Sequence, residues 1–438
     1  MTERIQAIRG MNDILPSESP KWQALERQLA DCMRSYGYQE IRFPILESTS
    51  LFKRTIGDIT DIVEKEMYTF LDLNQESLSM RPEGTAGCIR ACLEHGLLHN
   101  QQQKLWYSGP MFRYEKPQKG RYRQFHQFGV EALGFSGAGI ELELILLCQR
   151  LWTDLGIEKG VKLQINTLGV LEERQAYRQI LIDYFSQYMD ILDEDCKRRL
   201  QRSPMRILDS KNPALADVIR RAPSLMDCLG DNSRQHFSDL TAGLDALGIQ
   251  YQINPKLVRG LDYYGHTVFE WVSDHLGAQA TVCAGGRYDT LVEQLGGTPT
   301  PAIGFGLGIE RLLLLMESMQ NTVTHDANPD IFMITEDAQY LTTTLFIAEQ
   351  LRRENGYKVM VYLGSARMKS QFKQADKSGA RVALILGAEE IQEQAISIKD
   401  LRQFGQQEKV KQKVLPEALK RSFENKAEVG GRECHPYI

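Results

Sequence analysis

The N-terminal part of the chain alternates between helical and extended patterns of hydrophobic residues. Apolar side chains from Trp22 to Met33 recur at three- and four-residue steps, which predicts an amphipathic helix. Residues 38–44 alternate apolar and polar positions and end at Pro44, which cannot donate to a sheet. They therefore predict a strand at a sheet edge. A strongly apolar helix is predicted over 141–155, and a strand over 161–166.

The pattern changes character between residues 171 and 233. This stretch is charged, rich in helical periodicity and poor in glycine and aromatic motifs. It predicts an inserted helical subdomain, followed by a linking helix over 234–247. Strand-like alternation resumes at Tyr251.

Glycines repeat in residues 301–316, at Gly304, Gly306 and Gly308. On a strand these glycines share one face, because successive side chains point to opposite sides. A face without Cβ atoms would let a flat ring lie close to the backbone. The alternative is a glycine-rich strand packed tightly on the apolar helix that follows. The segment is neither a P-loop nor a dinucleotide-binding fingerprint.

The C-terminal part alternates strands and helices. Strands are predicted over 331–335, 358–363 and 381–387, with a helix ended by Gly356 and another over 365–379. This order is typical of a small α/β domain with a parallel sheet at its centre.

Composition narrows the class of protein. The 438 residues are too many for one ordinary core, and 42% hydrophobic with 25% charged residues is ordinary for a globular protein. A net charge of −5 means that any nucleic-acid contact must come from local patches. The eight cysteines follow no disulfide-like spacing, and no apolar run is long enough for a signal peptide or a membrane span. We therefore expect a cytoplasmic protein without membrane attachment.

A basic hairpin is predicted over residues 111–131. Its loop carries Arg113, Arg121 and Arg123 with two lysines, around a turn marked by Pro117 and Gly120. A guanidinium fits a phosphate with two hydrogen bonds and keeps its charge. Two such groups at the base of a hairpin suit a triphosphate and a nearby nucleic-acid end. The alternative is a solvated basic hairpin.

Two further features lie around the helix predicted after Pro82. Glu83 immediately precedes this helix, where a carboxylate could bind a substrate ammonium or favour the positive helix end. Cys88, Cys92, His95 and His99 have metal-ligand identities, but eleven residues of helix span about 16 Å. One ion cannot collect all of them, so no metal site is predicted.

The specific motifs resemble those of a known enzyme family. Residues 37–52, the hairpin 111–131 and residues 304–315 resemble motifs 1, 2 and 3 of class II aminoacyl-tRNA synthetases. RGLDYY at 259–264 and GGRYD at 285–289 resemble the two histidine-family signatures, supported by RPEGT at 81–85 and GRYRQFHQ at 120–127. The chain thus resembles the histidyl-tRNA synthetases over nearly its whole length. Tyr114 and Lys116 stand where His and Arg are frequent, and neither change removes a charge that the chemistry needs.

The resemblance implies a fold and a domain division. The expected fold is an α+β catalytic domain on an antiparallel sheet over 1–325, with the helical insertion at about 171–233. A C-terminal α/β anticodon-binding domain is expected over 326–428. The tail over 429–438 is expected to be disordered.

The resemblance also implies the activity of a histidine–tRNA ligase. L-histidine and ATP would form histidyl-adenylate and pyrophosphate, and the histidine would then pass to the 3′-terminal adenosine of tRNA(His). The implied catalytic residues are Arg113 and Arg259, on two sides of the α-phosphate. ATP binding is implied for Arg113, Glu115, Arg121 and Arg311.

The amino-acid pocket follows from the same resemblance. Histidine binding is implied for Glu83, Thr85, Arg113, Gln127, Glu131, Arg259, Tyr263 and Tyr264. In this set Glu131 and Tyr264 would read the imidazole, and Glu83, Thr85 and Gln127 the ammonium. The tRNA acceptor end would meet Gln118 and Lys119.

Cofactor and partner expectations complete this interpretation. Mg²⁺ is expected to enter with ATP, and the motif 1 edge suggests a homodimer. The alternative is a non-catalytic, histidine-sensing regulatory paralogue, which would lose the ATP arginines or the C-terminal domain. A chain that keeps Arg113, Arg121, Arg259 and Arg311 favours the ligase.

Overall fold

The structure is a computed structural model that describes residues 4–56, 60, 62–208, 210, 212–258, 263–321, 328–402 and 407–424. The chain forms two compact units, Met1–His325 and Asp326–Ile438. Arg259 and the tail 429–438 lie outside the described residues. The described part contains no helix long and apolar enough to cross a bilayer.

The first unit combines helices with two sheets. Its helices are α1 (Ser19–Ser35), α2 (Thr49–Ile56), α3 (Thr85–Glu94), α4 (Gly139–Asp154), α5 (Leu171–Ser186), α6 (Glu194–Arg202), α7 (Ala216–Arg220), α8 (Asp231–Ala246), α9 (Leu291–Gln294) and α10 (Ile309–Ser318). Its strands are β1 (Gln39–Glu40), β2 (Leu46–Ser48), β3 (Thr69–Leu71), β4 (Ser77–Met80), β5 (Gln103–Phe112), β6 (Gln124–Leu133), β7 (Lys162–Thr167), β8 (Tyr251–Ile253), β9 (Gly265–Val272), β10 (Thr281–Arg287) and β11 (Ala302–Gly308).

The large sheet has eight strands in the order β1-β5-β6-β11-β10-β9-β7-β8. Its inner pairs are antiparallel, and only the edge pairs β1–β5 and β7–β8 are parallel. The expected antiparallel catalytic sheet is thus confirmed. The strand predicted over 38–44 is an edge strand, but it is only two residues long and ends well before Pro44. The smaller sheet has the order β2-β4-β3.

Helix α4 lies in the core of the first unit. Leu144, Ile145, Leu151 and Trp152 are fully buried, against strands of the large sheet and against α1 and α8. Burying one such side chain contributes about 1.5–3 kcal/mol. A helix covered on several faces needs apolar residues nearly all round, which explains the run over 141–155. The core therefore covers one face of the large sheet, and the cavity described below opens on the other face.

The helical segment between β7 and α8 packs into an apolar cluster that it shares with α3 and β5. Tyr177, Leu181 and Phe185 of α5 pack with Leu200 of α6 and with the short helices that follow. The linking helix predicted over 234–247 is α8, which begins three residues earlier. The chain leaves the large sheet after β7, passes through this segment and α8, and returns to the sheet at β8.

The second unit is an α/β fold on a five-stranded sheet. Its strands are β12 (Ile331–Thr335), β13 (Val359–Val361), β14 (Val382–Leu386), β15 (Ala395–Asp400) and β16 (Glu408–Lys411), in the order β13-β12-β14-β15-β16. Its helices are α11 (Leu341–Asn355), α12 (Met368–Lys377), α13 (Ala388–Gln392) and α14 (Leu415–Glu424). The predicted parallel centre is right for β12, β13 and β14, whereas β15 and β16 are antiparallel.

Candidate active site

A cavity of about 320 Å³ opens on the face of the large sheet away from α4. Most of the predicted site residues line it: Glu83, Thr85, Arg113, Glu115, Arg121, Gln127, Tyr263, Tyr264 and Arg311. Glu131 lies directly beneath it and is 1% exposed. Gln118 and Lys119 are exposed at the tip of the β5–β6 loop. Side chains distant in sequence thus meet in one cavity.

Three guanidinium groups converge at the hairpin end of the cavity. Arg113 donates from Nε to the Pro82 carbonyl at 2.8 Å, and its guanidinium lies 5.3 Å from the centre of the Phe125 ring. Arg311 donates to the carbonyls of Gly120 and Thr281, both at 3.0 Å. Burial lowers the pKa of Arg311, and the charges of Arg113 and Arg121 lower it further. Such crowding of cations is stabilised by a bound polyanion.

Glu115 neutralises part of this charge. Its carboxylate accepts a hydrogen bond from Nε of Arg121 and lies 4.0 Å from Nη1 of Arg113. Glu66 lies 3.9 Å from Nη2 of Arg121. The loop carbonyl of Gly120 is fixed by Arg311, so the hairpin loop and α10 are joined at this point. The predicted role of Glu115 in ATP binding stays a prediction, and its partner here is Arg121.

The other end of the cavity is built around the buried carboxylate of Glu131. It accepts hydrogen bonds from the hydroxyls of Thr85 at 2.8 Å, Tyr107 at 3.1 Å and Tyr288. Burial raises the pKa of Glu131 to about 8, although these three hydroxyls oppose the shift. No described lysine or arginine forms an ion pair with it. This acid can accept a hydrogen bond from a ligand or form an ion pair with a cationic ligand.

Glu83 caps α3 instead of pointing freely into solution. Its carboxylate accepts from the backbone amides of Thr85 at 2.7 Å and Ala86 at 2.9 Å. Burial raises the pKa of Glu83, while these amides hold it down. The helix-end role left open by the sequence is therefore observed, and a carboxylate so fixed can also face an ammonium group.

The glycine face of β11 makes room for side chains of the neighbouring strand. Gly304 stands opposite Glu131 in the β6–β11 pairing, and a Cβ on Gly304 would collide with the Glu131 carboxylate. A Cβ on Gly306 would lie 2.6 Å from Nε2 of Gln127. These glycines therefore admit a carboxylate and an amide at the cavity floor, a purpose that the spacing did not predict.

Sequence reasoning missed four side chains of the site. Tyr107 and Tyr288 donate to Glu131, and Tyr288 stands within the GGRYD signature, so its position was available as a signal. Glu270 and Glu310 line the arginine-rich end of the cavity. Glu310 accepts from the backbone amide and from Nδ1 of His126, both at 2.9 Å, which fixes the start of α10 against β6.

Two family models match the chain. Residues 10–312 match the model described as "Histidyl-tRNA synthetase". Residues 331–422 match the model described as "Anticodon binding domain". The first match contains every described residue of the cavity.

Individual relatives cover nearly the whole chain. The histidine–tRNA ligase of Legionella pneumophila subsp. pneumophila strain Philadelphia 1 is 61% identical over 403 residues, which is 92% of this chain and 95% of that protein. The crystal structure of the apo S. aureus histidyl-tRNA synthetase superposes with a TM-score of 0.81 at 38% identity, covering 95% of this chain and 100% of that one. The histidyl-tRNA synthetase of Nostoc sp. PCC 7120 shares the fold, with a TM-score of 0.68 at 20% identity over 96% of this chain and 100% of that one.

Proposed function

Because the chain belongs to the histidyl-tRNA synthetase family, we propose that its cavity holds ATP between Arg113, Arg121 and Arg311 and holds L-histidine above Glu131. The protein is a histidine–tRNA ligase. The observation that carries the residue roles is the placement of a cationic end and a buried acid in one cavity. A nucleotide phosphate and a basic amino acid would lie side by side there, as adenylate formation requires.

The adenylation step needs positioning and charge neutralisation more than a base. The histidine carboxylate is already an anion when it attacks the α-phosphorus, and pyrophosphate leaves with the electron pair of the broken P–O bond. Arg113 is held by the Pro82 carbonyl and by the Phe125 ring, so it would meet the α-phosphate without reorganising. Arg121 and Arg311 would hold the γ-phosphate of a bent ATP. Arg259 is proposed from the family signature alone to act on the opposite side.

ATP binding would rearrange the acidic partners of Arg121. In the described state Glu115 accepts from Arg121, and Glu66 lies nearby. A triphosphate carries more negative charge than either carboxylate and can accept the guanidinium in a bidentate manner. The arginine is thus kept in place by carboxylates until phosphate oxygens replace them.

Glu131 supplies the acceptor for the imidazole in this proposal. A neutral imidazole has one donor and one acceptor nitrogen, and Glu131 can accept from the donor. The hydroxyl of Tyr264, which lines the same cavity, would serve the other nitrogen. An analogue without those nitrogens would leave the buried acid without its ligand partner, which gives large discrimination. Glu83, Thr85 and Gln127 would face the ammonium group.

Mg²⁺ would enter with ATP. Among the described residues no group of three or more His, Cys, Asp or Glu side chains is arranged to hold a metal ion. The phosphate oxygens would therefore be its main ligands, and Glu270 and Glu310 at the cavity wall offer the hard oxygen donors that Mg²⁺ prefers. When bound, the ion neutralises charge on the phosphates.

The tRNA would contact both units. Gln118 and Lys119 are exposed at the tip of the hairpin loop, and the acceptor end would approach the cavity past them. The second unit, whose sequence matches the anticodon-binding model, would hold the anticodon. The terminal 3′-hydroxyl would then attack the adenylate.

A homodimer and a cytoplasmic location are parts of the same proposal. Strand β1 pairs only with β5 among the described strands, which leaves an open sheet edge. Apolar residues near it are exposed, among them Ile45 at 40% and Leu46 at 43%. A second copy would cover them. Seven described cysteines are free thiols, as expected in a reducing compartment.

Histidine-dependent exchange of pyrophosphate into ATP tests the proposed roles. The intact protein should catalyse the exchange, and Arg113→Ala should reduce it by about 10²-fold or more. Lys53→Ala, at a basic residue of α2 outside the cavity, is the control. Histidine binding without exchange in the intact protein would instead support the regulatory-sensor alternative.

A further inference from the structure

One carboxylate joins both ends of the helical segment. Glu173, in the first turn of α5, accepts from the amide of Val170 at 2.8 Å, just before that helix. It also accepts from the amide of Gly230 at 2.7 Å and from the hydroxyl of Ser233 at 2.7 Å, where α8 begins. The points at which the segment leaves and rejoins the catalytic fold are thus held by a single side chain.

The same junction is bonded to the start of β9. The amide of His266 donates to the Gly169 carbonyl at 2.9 Å, and the amide of Leu168 donates to the His266 carbonyl at 2.6 Å. His266 has a φ of +46°, which is unusual for a residue with a side chain. This backbone conformation persists because hydrogen bonds on both sides hold it.

Helix α8 supports His266 from a second direction. The His236 ring lies 5.0 Å from the His266 ring, and Nε2 of His236 is 2.8 Å from Oε1 of Glu141. Glu141 is fully buried and also accepts from Thr267 and Arg287, each at 2.7 Å. This network anchors α8 in the core directly beside His266.

Little free space surrounds the β7–α5 turn and the start of β9. A Cβ on Gly169 would collide with the Glu173 carboxylate, and one on Gly265 would lie 2.8 Å from Nη1 of Arg174. Displacement of α5 or of the β7–α5 turn would therefore pass directly to residues 265 and 266, since close-packed backbones do not deform independently.

Tyr264 lies at the end of this chain of contacts. It is two residues before His266, lines the cavity, and has its ring 4.7 Å from that of Tyr263. A Cβ on Gly286 would lie 2.9 Å from the Tyr264 ring, so this ring is seated closely on β10. Small movements of the His266 turn would consequently change where the Tyr264 hydroxyl points.

We infer that Glu173 is a positioning residue for histidine recognition: by joining both ends of the helical segment to the His266 turn, it fixes the place of Tyr264 in the cavity. This inference rests on the proposed role of Tyr264 in reading the imidazole. Glu173 is outside the cavity and contacts no substrate. The helical segment thereby becomes a part of the amino-acid pocket, although none of its helices lines that pocket.

Glu173→Gln tests the inference with little change of shape. Either orientation of the amide places its NH₂ group against a backbone donor, at Gly230 or at Val170. In pyrophosphate exchange, KM for histidine should rise by about tenfold, as expected for the loss of a charged hydrogen bond, while KM for ATP changes less than about twofold. The neighbouring Glu172→Gln, at an exposed position, is the matched control and should change neither value.

A second comparison separates positioning from a general loss of structure. In a Tyr264→Phe background, Glu173→Gln should add little to KM for histidine, because both changes act through one hydroxyl. The inference would be overturned if the two substitutions multiplied each other's effect on KM for histidine, or if Glu173→Gln raised KM for histidine and KM for ATP equally. If Tyr264→Phe itself leaves KM for histidine unchanged, the proposed histidine pocket fails instead. A melting temperature measured for each variant shows whether it is still folded at the assay temperature.

Discussion

Glu131 and Gly304 stand opposite each other on β6 and β11, and the carboxylate of the first occupies the space that a side chain on the second would need. The acid is held there by the hydroxyls of Thr85, Tyr107 and Tyr288. In the proposed histidine pocket, the position of this acid thus depends on the absence of one methyl group on a neighbouring strand.

Gly304→Ala should therefore impair histidine binding specifically. The added methyl must displace the Glu131 carboxylate or separate two central strands, at a cost of about 1–3 kcal/mol. We expect KM for histidine to rise by about tenfold or more in pyrophosphate exchange, with a lower melting temperature. Gly139→Ala is the matched control, because a Cβ there meets no atom within 4 Å. An unchanged KM for histidine in Gly304→Ala would contradict the proposed role of Glu131 in histidine binding.

Glu131→Gln should change how stability depends on pH in the ligand-free protein. Burial raises the pKa of Glu131 from an ordinary 4.5 to about 8. Between these values the folded protein keeps a proton that the unfolded chain loses, so this acid's contribution to stability falls as pH rises. The loss is at most about 1.4 kcal/mol per pH unit. The free energy of unfolding, measured with denaturant, should be compared between the wild type and Glu131→Gln. The difference, wild type minus variant, should decline from pH 5 to pH 8. A flat difference would indicate that Glu131 is already ionised at pH 5.

Arg311→Ala should lower the rate of adenylation while sparing histidine binding. The side chain is half-buried, donates to the carbonyls of Gly120 and Thr281, and lines the cavity. We expect the exchange rate to fall by about 10²- to 10³-fold, with histidine affinity by calorimetry within about twofold of wild type. Arg150→Ala, on the surface of α4, serves as the control. A comparable loss of histidine affinity would show that Arg311 supports the pocket rather than the phosphates.

The exposed lysines of α12 provide a prediction for tRNA. Lys369 and Lys373 lie four residues apart on this helix and are exposed. If they contact phosphates, replacing both with alanine should weaken tRNA binding and reduce the slope of log affinity against log salt by about 0.7–0.9 for each lost contact. Pyrophosphate exchange without tRNA should be unaffected. An unchanged salt slope would identify them as ordinary solvated lysines.

The positions of the arginines could be predicted from the sequence, but their surroundings could not. Arg113 and Arg121 flank a recognisable basic loop, and the cavity lining includes both together with Arg311. The Tyr107 hydroxyl, which donates a hydrogen bond to Glu131, comes from the middle of an apolar strand, where an aromatic residue indicates only packing. Likewise, a carboxylate before a helix does not reveal whether it caps the helix or binds a ligand, and Glu83 is seen to cap.

Parts of the fold were similarly ambiguous. The three strands predicted for the second unit correspond to β12, β13 and β14, which pair in parallel as predicted, whereas the antiparallel strands β15 and β16 were not predicted. The edge strand over 38–44 was predicted too long because alternation continues past the two residues that pair with β5. Long periodic segments such as α4 were predicted well, since burial on several faces leaves an unmistakable apolar run.

A crystal structure of the protein with histidine and a non-hydrolysable ATP analogue tests the central claim most directly. We predict that the imidazole lies within hydrogen-bond distance of the Glu131 carboxylate and that the phosphates contact Arg113 and Arg311. Histidine bound away from Glu131, or phosphates bound outside this group of arginines, would contradict it.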